Sequence, residues 1–210
     1  MTWSAIIPLK PPGKRKTRLA ARLSAAQRDH LAEAMFHHVA GVLRAVPAIL
    51  DIALLAESPL PGWPGRWIQD HGRGLNAELC DAAKSRGPRH LLVIHADLPC
   101  LAASDILDLT ADEARSAIAP DRHGTGTNAL ALRGDAAMRF AFGAHSFERH
   151  CAQMLRTMRV VKRVGLALDI DTPDDLAMAE RAGLRHTDFK YNFDPDSCGA
   201  LPSAGRRAEL

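Results

Sequence analysis

The segment His90–His95 reads H-L-L-V-I-H, with no polar residue in its interior. A run this short and this apolar belongs to a strand covered on both faces, as at the middle of a parallel sheet packed between helices. The rest of the chain fits that reading. Ser4–Leu9 (S-A-I-I-P-L) and Ile49–Ala56 (I-L-D-I-A-L-L-A) read as two further strands. Shorter ones are expected at Trp67–Gln69, Ser116–Ala119 and Asn128–Leu132, and a last one over Val164–Ile170. Helical patterns fall between them. Ser24 stands as an N-cap before Ala25–Val46, whose apolar stripe runs through Leu31, Met35, Val39, Val42 and Leu43 with Phe36 beside it. Helices are also expected from Gly74 to Lys84, from Asp105 to Ala114 behind Ser104, and from Ser146 to Met158. Thr172-Pro173 opens a final one, with Thr as cap, Pro at the first helical position and Asp174 and Asp175 in the first turn. Strands alternating with helices predict an α/β sandwich with a mostly parallel sheet.

The 210 residues suit one domain, expected over 1–186. Residues 187–210, rich in Pro, Gly, Ser and Asp, are expected to form an irregular tail. Lys plus Arg total 27 against 24 Asp plus Glu, and a net charge of +3 argues against a nucleic-acid coat. The apolar runs fall short of the ~18 residues a membrane helix needs. Met1–Lys10 has no basic segment before its apolar run, so a secretory signal is not expected. Cys80, Cys100, Cys151 and Cys198 show no C-x-x-C spacing and read as reduced thiols of a cytoplasmic protein.

In sheets of this kind ligands sit beyond the carboxyl ends of the strands, so the chemistry is sought there. After the first strand, Lys10, Lys14, Arg15, Lys16 and Arg18 place five cations within nine residues. Such a loop suits a triphosphate, although it also reads as a solvated basic loop or a nucleic-acid patch. It is not a Walker A loop, since G-x-x-x-x-G-K is absent. After the central strand comes Asp97, a Mg²⁺ ligand or a helix cap. Asp169 and Asp171, two apart on an expected strand, would share a face and converge on one cation, unless Asp171 only supports the helix start that follows. Gly124-Thr125-Gly126-Thr127 offers backbone N–H groups and two hydroxyls, or is merely a turn. Gly143 and Ser146 fall at an expected helix N-terminus, where free N–H groups and the helix dipole favour a phosphate or carboxylate. An ordinary serine cap is the simpler reading there, and His145 beside it is either a further donor or a surface histidine. No Ser-His-Asp or Cys-His arrangement stands out, and Cys100 reads as a small pocket-wall residue.

Taken in order, these segments carry a resemblance. Lys10 with Lys16-Thr17-Arg18-Leu19, Asp97-Leu98-Pro99, Asp121-Arg122 with Gly124-Thr125-Gly126-Thr127, Phe142-Gly143 with Ser146, and Asp169-Ile170-Asp171-Thr172-Pro173 resemble the CofC/FbiD family of guanylyltransferases in biosynthesis of the deazaflavin coenzyme F-420. The resemblance spans Ala5 to Leu184. It implies a Rossmann-like three-layer α/β/α sandwich of nucleotidyltransferase (GT-A-like) type. It also implies joining of GTP to a phosphorylated three-carbon acid with release of pyrophosphate, and Mg²⁺ as cofactor. By position it implies that Asp97, Asp169 and Asp171 hold the metal, and that Lys10, Lys16, Thr17 and Arg18 surround the nucleotide phosphates with Asn76 on the nucleotide side. Lys16, Arg18 and Asp97 would be the catalytic groups, and Thr127, Gly143, Ser146 and His145 would hold the acid. The expected partners are these small molecules, with a homodimer admitted and neither nucleic acid nor membrane involved. Many relatives have proline and aspartate where this chain has Ala144 and His145, and a larger residue at Cys100. A new donor with a smaller neighbour suits a longer acid bearing an extra hydroxyl. The leading acid is therefore 3-phospho-D-glycerate, ahead of phosphoenolpyruvate and 2-phospho-L-lactate. The rivals are another nucleotidyltransferase and a non-catalytic nucleotide-binding protein.

Overall fold

The computed structural model describes residues 2–84, 90–111, 116–134, 138–153 and 158–181. The tail expected over 187–210, and the end of the expected domain after residue 181, lie outside these. Seven strands form one sheet: β1 (Trp3–Pro8), β2 (Ile49–Ala56), β3 (Arg66–Gln69), β4 (His90–Ile94), β5 (Ser116–Pro120), β6 (Thr127–Leu132) and β7 (Met158–Val160). Their spatial order is β3-β2-β1-β4-β6-β5-β7. β1 pairs in parallel with β2 and β4, so Ile6 stands between Ala53 and Val93. β6 runs antiparallel to both its neighbours, β4 and β5. The sheet is thus mostly parallel, as expected, with one reversed strand.

Alternation along β1 divides its side chains between two cores. Trp3, Ala5 and Ile7 pack with Phe36 and Leu43 of α1 (Ala25–Arg44), Ile106 and Leu109 of α3 (Ala103–Thr110) and Leu166 of α5 (Val164–Ala167). On the other face Ile6, Leu91 and Val93 pack with Leu79 and Ala82 of α2 (Leu75–Lys84), and Phe147 and Cys151 of α4 (Ser146–Gln153) close the same core. Helices therefore cover both faces, giving the three layers. α1 begins where expected, in a reciprocal cap. The Gln27 N–H donates to Ser24 Oγ (3.3 Å), and the Ser24 N–H donates to Gln27 Oε1 (2.9 Å). A third cluster joins Leu31 and Met35 of α1 to Ile170 and to Leu176 of α6 (Pro173–Arg181). That contact brings the carboxylate segment 169–171 up to the start of the chain.

Three expectations need correction. Val164–Ile170 is not a strand: it is the short helix α5 followed by extended chain. Gly165 lets α5 pack closely there, because a Cβ would stand 2.6 Å from the Cys100 carbonyl oxygen and collide with the Asp105 carboxylate. Met158 ends no helix but begins edge strand β7 beside β5. α3 starts one residue before Ser104. Its cap is Ala102, which has no side-chain acceptor to offer, and the Ala102 N–H donates to Asp105 Oδ2 at 2.9 Å. Among the described residues no helix is long and apolar enough to cross a membrane.

Candidate active site

The ends of β1, β4 and the chain after α5 meet at one edge of the sheet, and β6, being reversed, brings its first residues to the same edge. Between them lies a cleft of about 700 Å³. Lys10, Lys16, Arg18, Asp97, Asp169 and Asp171 line it, together with Thr127, Gly143, His145 and Ser146. Of the residues expected to bind substrate or metal, Thr17 and Asn76 do not line it.

The basic loop is held from α1. The Gly13 N–H donates to both oxygens of Asp29, at 3.0 and 3.1 Å. Arg15 is buried, donating from Nε to the Lys10 carbonyl and from Nη1 to Glu33 Oε1, both at 2.6 Å. Arg15 is therefore a strut of the loop, buried where the loop borders the cleft. Lys16 takes a left-handed backbone (φ 48°), which a side chain with a Cβ adopts at a cost of about 1–2 kcal/mol. That turn points its side chain inward, where Nζ pairs with Asp97 and lies 2.9 Å from Asp171 Oδ1. The Lys16 expected beside phosphates thus sits among carboxylates here.

Asp97, Asp169 and Asp171 each place one oxygen within 4.8 Å of the others. Burial opposes ionisation of Asp97, but the Lys16 ammonium and His95 override it and hold the carboxyl below its usual range. Burial likewise opposes the charge on Lys16, and Asp97 and Asp171 together raise it above its ordinary value. Asp169 is the opposite case. Burial and then the Asp97 charge push it up, although Asn128 Nδ2 donates to its Oδ1 at 3.1 Å. Asp97 Oδ1 is buried with no hydrogen-bond partner. His95 Nδ1 stands 4.0 Å from it, too far to donate. Three oxygen donors, one of them unspent, suit a hard divalent cation such as Mg²⁺.

At the Gly143–Ser146 corner of the cleft the expected helix N-terminus is less open than the sequence implied. The Ser146 N–H donates to the Gly143 carbonyl and the Phe147 N–H to the Thr125 carbonyl, each at 3.1 Å. What this corner offers a ligand is the side-chain chemistry of Thr127, Ser146 and His145 around the Gly143 backbone. Gly143 (φ 110°) and His145 (φ 54°) both take left-handed conformations, which bend the segment around the cleft. Asn76 holds that bend from behind, donating to the Phe142 carbonyl (3.1 Å) and accepting from the Phe142 N–H (2.8 Å). Its amide is committed to the loop. Cys100, expected on the pocket wall, does not line the cleft.

Three contributors escaped the sequence reading. Asn128 ties β6 to α5, donating to the Leu166 carbonyl at 3.0 Å as well as to Asp169. Its signal was a polar residue opening an apolar strand. His95 ends the run that defined the central strand, and its ring lies against Phe142 with centroids 5.6 Å apart. His150 is wholly buried behind Thr127. It stands four residues after Ser146 and so shares its helix face, a spacing visible in the sequence.

A family model described as guanylyl transferase CofC like matches residues 3–184. A phosphoenolpyruvate guanylyltransferase from Sphaerobacter thermophilus is 41% identical over 192 residues, covering 84% of this chain and 91% of that one. Another of that name, from Rubrobacter xylanophilus, is 35% identical over 198 residues, covering 87% and 96%. A putative nucleotide-diphospho-sugar transferase from Desulfovibrio desulfuricans G20 shares the fold, with a TM-score of 0.70 at 18% identity over 87% of this chain and 88% of that one. The chain belongs to the CofC-like guanylyltransferase family.

Proposed function

We propose that the enzyme transfers the guanylyl group of GTP to the phosphate of a three-carbon acid, releasing pyrophosphate, on the route to coenzyme F-420 or a derivative. The observation that carries this reading is that one cleft is lined both by Lys10, Lys16 and Arg18 with three clustered carboxylates and by the polar side chains of Thr127, His145 and Ser146, as two anionic substrates need. A phosphate oxygen of the acid attacks the α-phosphorus of GTP in line. The bond to the bridging oxygen breaks, and pyrophosphate leaves with that oxygen. Lys10 and Arg18 line the cleft where the β- and γ-phosphates would lie, and stabilise the departing charge. Thr127, Ser146 and Gly143 hold the acid so that its phosphate faces the α-phosphorus. The cofactor fits Asp97, Asp169 and Asp171, where Mg²⁺ would supply charge neutralisation for the transferring phosphates. With that charge present the Lys16 ammonium can serve the phosphates as well. No covalent nucleophile is required.

For the acid we put 3-phospho-D-glycerate first, because His145 lines the corner beside Thr127 and can bond an added hydroxyl. The names of the relatives favour phosphoenolpyruvate instead. Pyrophosphate release decides, measured with GTP and Mg²⁺ and each acid in turn, with ATP and CTP as controls. Release with GTP and one acid supports the reaction and names the acid. A tenfold preference in kcat/KM for phosphoenolpyruvate overturns the choice of 3-phospho-D-glycerate, and release with no acid overturns the reaction.

A further inference from the structure

His150 sits on α4 with no exposed surface, between the polar corner and the loop that borders it. Its Nε2 is 2.9 Å from the Ala141 backbone nitrogen, and its Nδ1 is 3.1 Å from Thr127 Oγ1. The ring of Phe142 packs edge-on against it, centroids 4.9 Å apart. A backbone N–H can only donate, so Nε2 must accept and carries no proton. In a neutral imidazole the proton then lies on Nδ1, and Nδ1–H donates to Thr127 Oγ1. The ring is neutral here, since burial and then the Arg149 charge lower it to about 4.

A threonine hydroxyl has one proton to give. With its oxygen accepting from the imidazole, that proton is directed elsewhere, and Thr127 lines the cleft. We propose that His150 is a positioning residue for the acid substrate: it aims the Thr127 hydroxyl proton into the cleft and, through Ala141, locks that donor to the loop that carries Gly143 into α4. A hydroxyl whose proton is aimed into the cleft suits an anionic oxygen, phosphate or carboxylate. The inference rests on reading the Thr127–Ser146 corner as the acid's place.

Two measurements test it. Long-range proton–nitrogen NMR on the unliganded protein is expected to show His150 protonated at Nδ1 and bare at Nε2, and the reverse tautomer overturns the proposal. Kinetics supply the second. His150→Gln keeps an acceptor near Ala141 but no donor at Thr127. It is expected to raise KM for the acid tenfold or more while KM for GTP stays within twofold, and His150→Asn, which can return an N–H toward Thr127, is expected to recover part of the loss. An equal rise in both KM values, or none, overturns the proposal. If the wild type transfers to no acid, the same comparison is made by calorimetric binding of phosphoenolpyruvate and 3-phospho-D-glycerate. Weaker binding by His150→Gln then supports the inference although the proposed reaction has failed, and unchanged or absent binding overturns it.

Discussion

Lys16 Nζ lies 2.9 Å from Asp171 Oδ1, although 155 positions separate the two in the chain. The same ammonium pairs with Asp97, so one cation bridges the end of β4 and the segment that leads into α6. Its side chain is 8% exposed, against 18% for Asp97 and 48% for Asp171. Removing it would leave the Asp97 charge buried with no partner. Lys16→Met is expected to cost about 2–3 kcal/mol, less than a fully buried pair because Asp171 is half in water. Urea unfolding midpoints measure the loss. Added Mg²⁺ is expected to stabilise the variant more than the wild type, because the cation takes over the balance that Lys16 provided.

Asp97 faces Lys16 with one oxygen and leaves the other unspent. Asp97→Asn preserves shape but removes a charge. It is expected to lower kcat by about a hundredfold or more with saturating GTP, as loss of a group that stabilises transferring phosphate does. Near-native circular dichroism would separate that loss from unfolding.

Asn76 gives both ends of its amide to the Phe142 backbone. Asn76→Ala is therefore expected to loosen the Gly143–Ser146 bend and raise KM for the acid several-fold while KM for GTP stays nearly unchanged. A selective rise for GTP would restore the nucleotide-side role that the sequence suggested. Initial rates with each substrate varied in turn distinguish the two.

The fold was most legible where local pattern and tertiary context agree. Central strand β4, the Ser24 cap of α1 and the Thr172-Pro173 start of α6 follow from short-range chemistry. At the last, the Thr172 hydroxyl and N–H both meet Asp175 Oδ2, at 2.8 and 2.7 Å. Val164–Ile170 reads as a strand because V-G-L-A-L is apolar in either conformation, and the close packing of Gly165 against Asp105, 60 positions away, leaves no mark in the local sequence. Within the site, Asp97 and Asp169–Asp171 were legible as oxygen donors at chain positions that this architecture brings together. The inward turn of Lys16 and the commitment of Asn76 were not, since both depend on partners distant in sequence.

Gly165 provides a stability test. Gly165→Ala would press a methyl group against the Asp105 carboxylate and to 2.6 Å from the Cys100 carbonyl oxygen. Asp105 also accepts from the Ala102 N–H and from Arg163 Nε at 3.1 Å, so it cannot yield without disturbing the cap of α3. A loss of about 1–3 kcal/mol is expected, read from thermal or denaturant unfolding.

His150 sets a pH dependence of stability. Its proton affinity is lowered from 6.5 to about 4 in the native protein by burial and then by Arg149. Between these values the unfolded chain binds the proton and the folded one does not, so stability falls as pH drops from 6.5 toward 4. The full effect is on the order of 3 kcal/mol. Denaturation curves across this range should show a slope in the wild type that His150→Gln reduces.

The reversal of β6 has a consequence for how such a chain can change over generations. Thr127 meets His150 on one face of the strand, and its neighbour Asn128 meets Leu166 and Asp169 on the other. Adjacent letters of the protein thus tie down opposite faces of one strand. A one-residue slip of β6 against β4 and β5 would swap those faces and undo both sets of contacts together. A point substitution at either letter undoes one set alone. The register of β6 is therefore guarded twice, while each contact can be lost by itself.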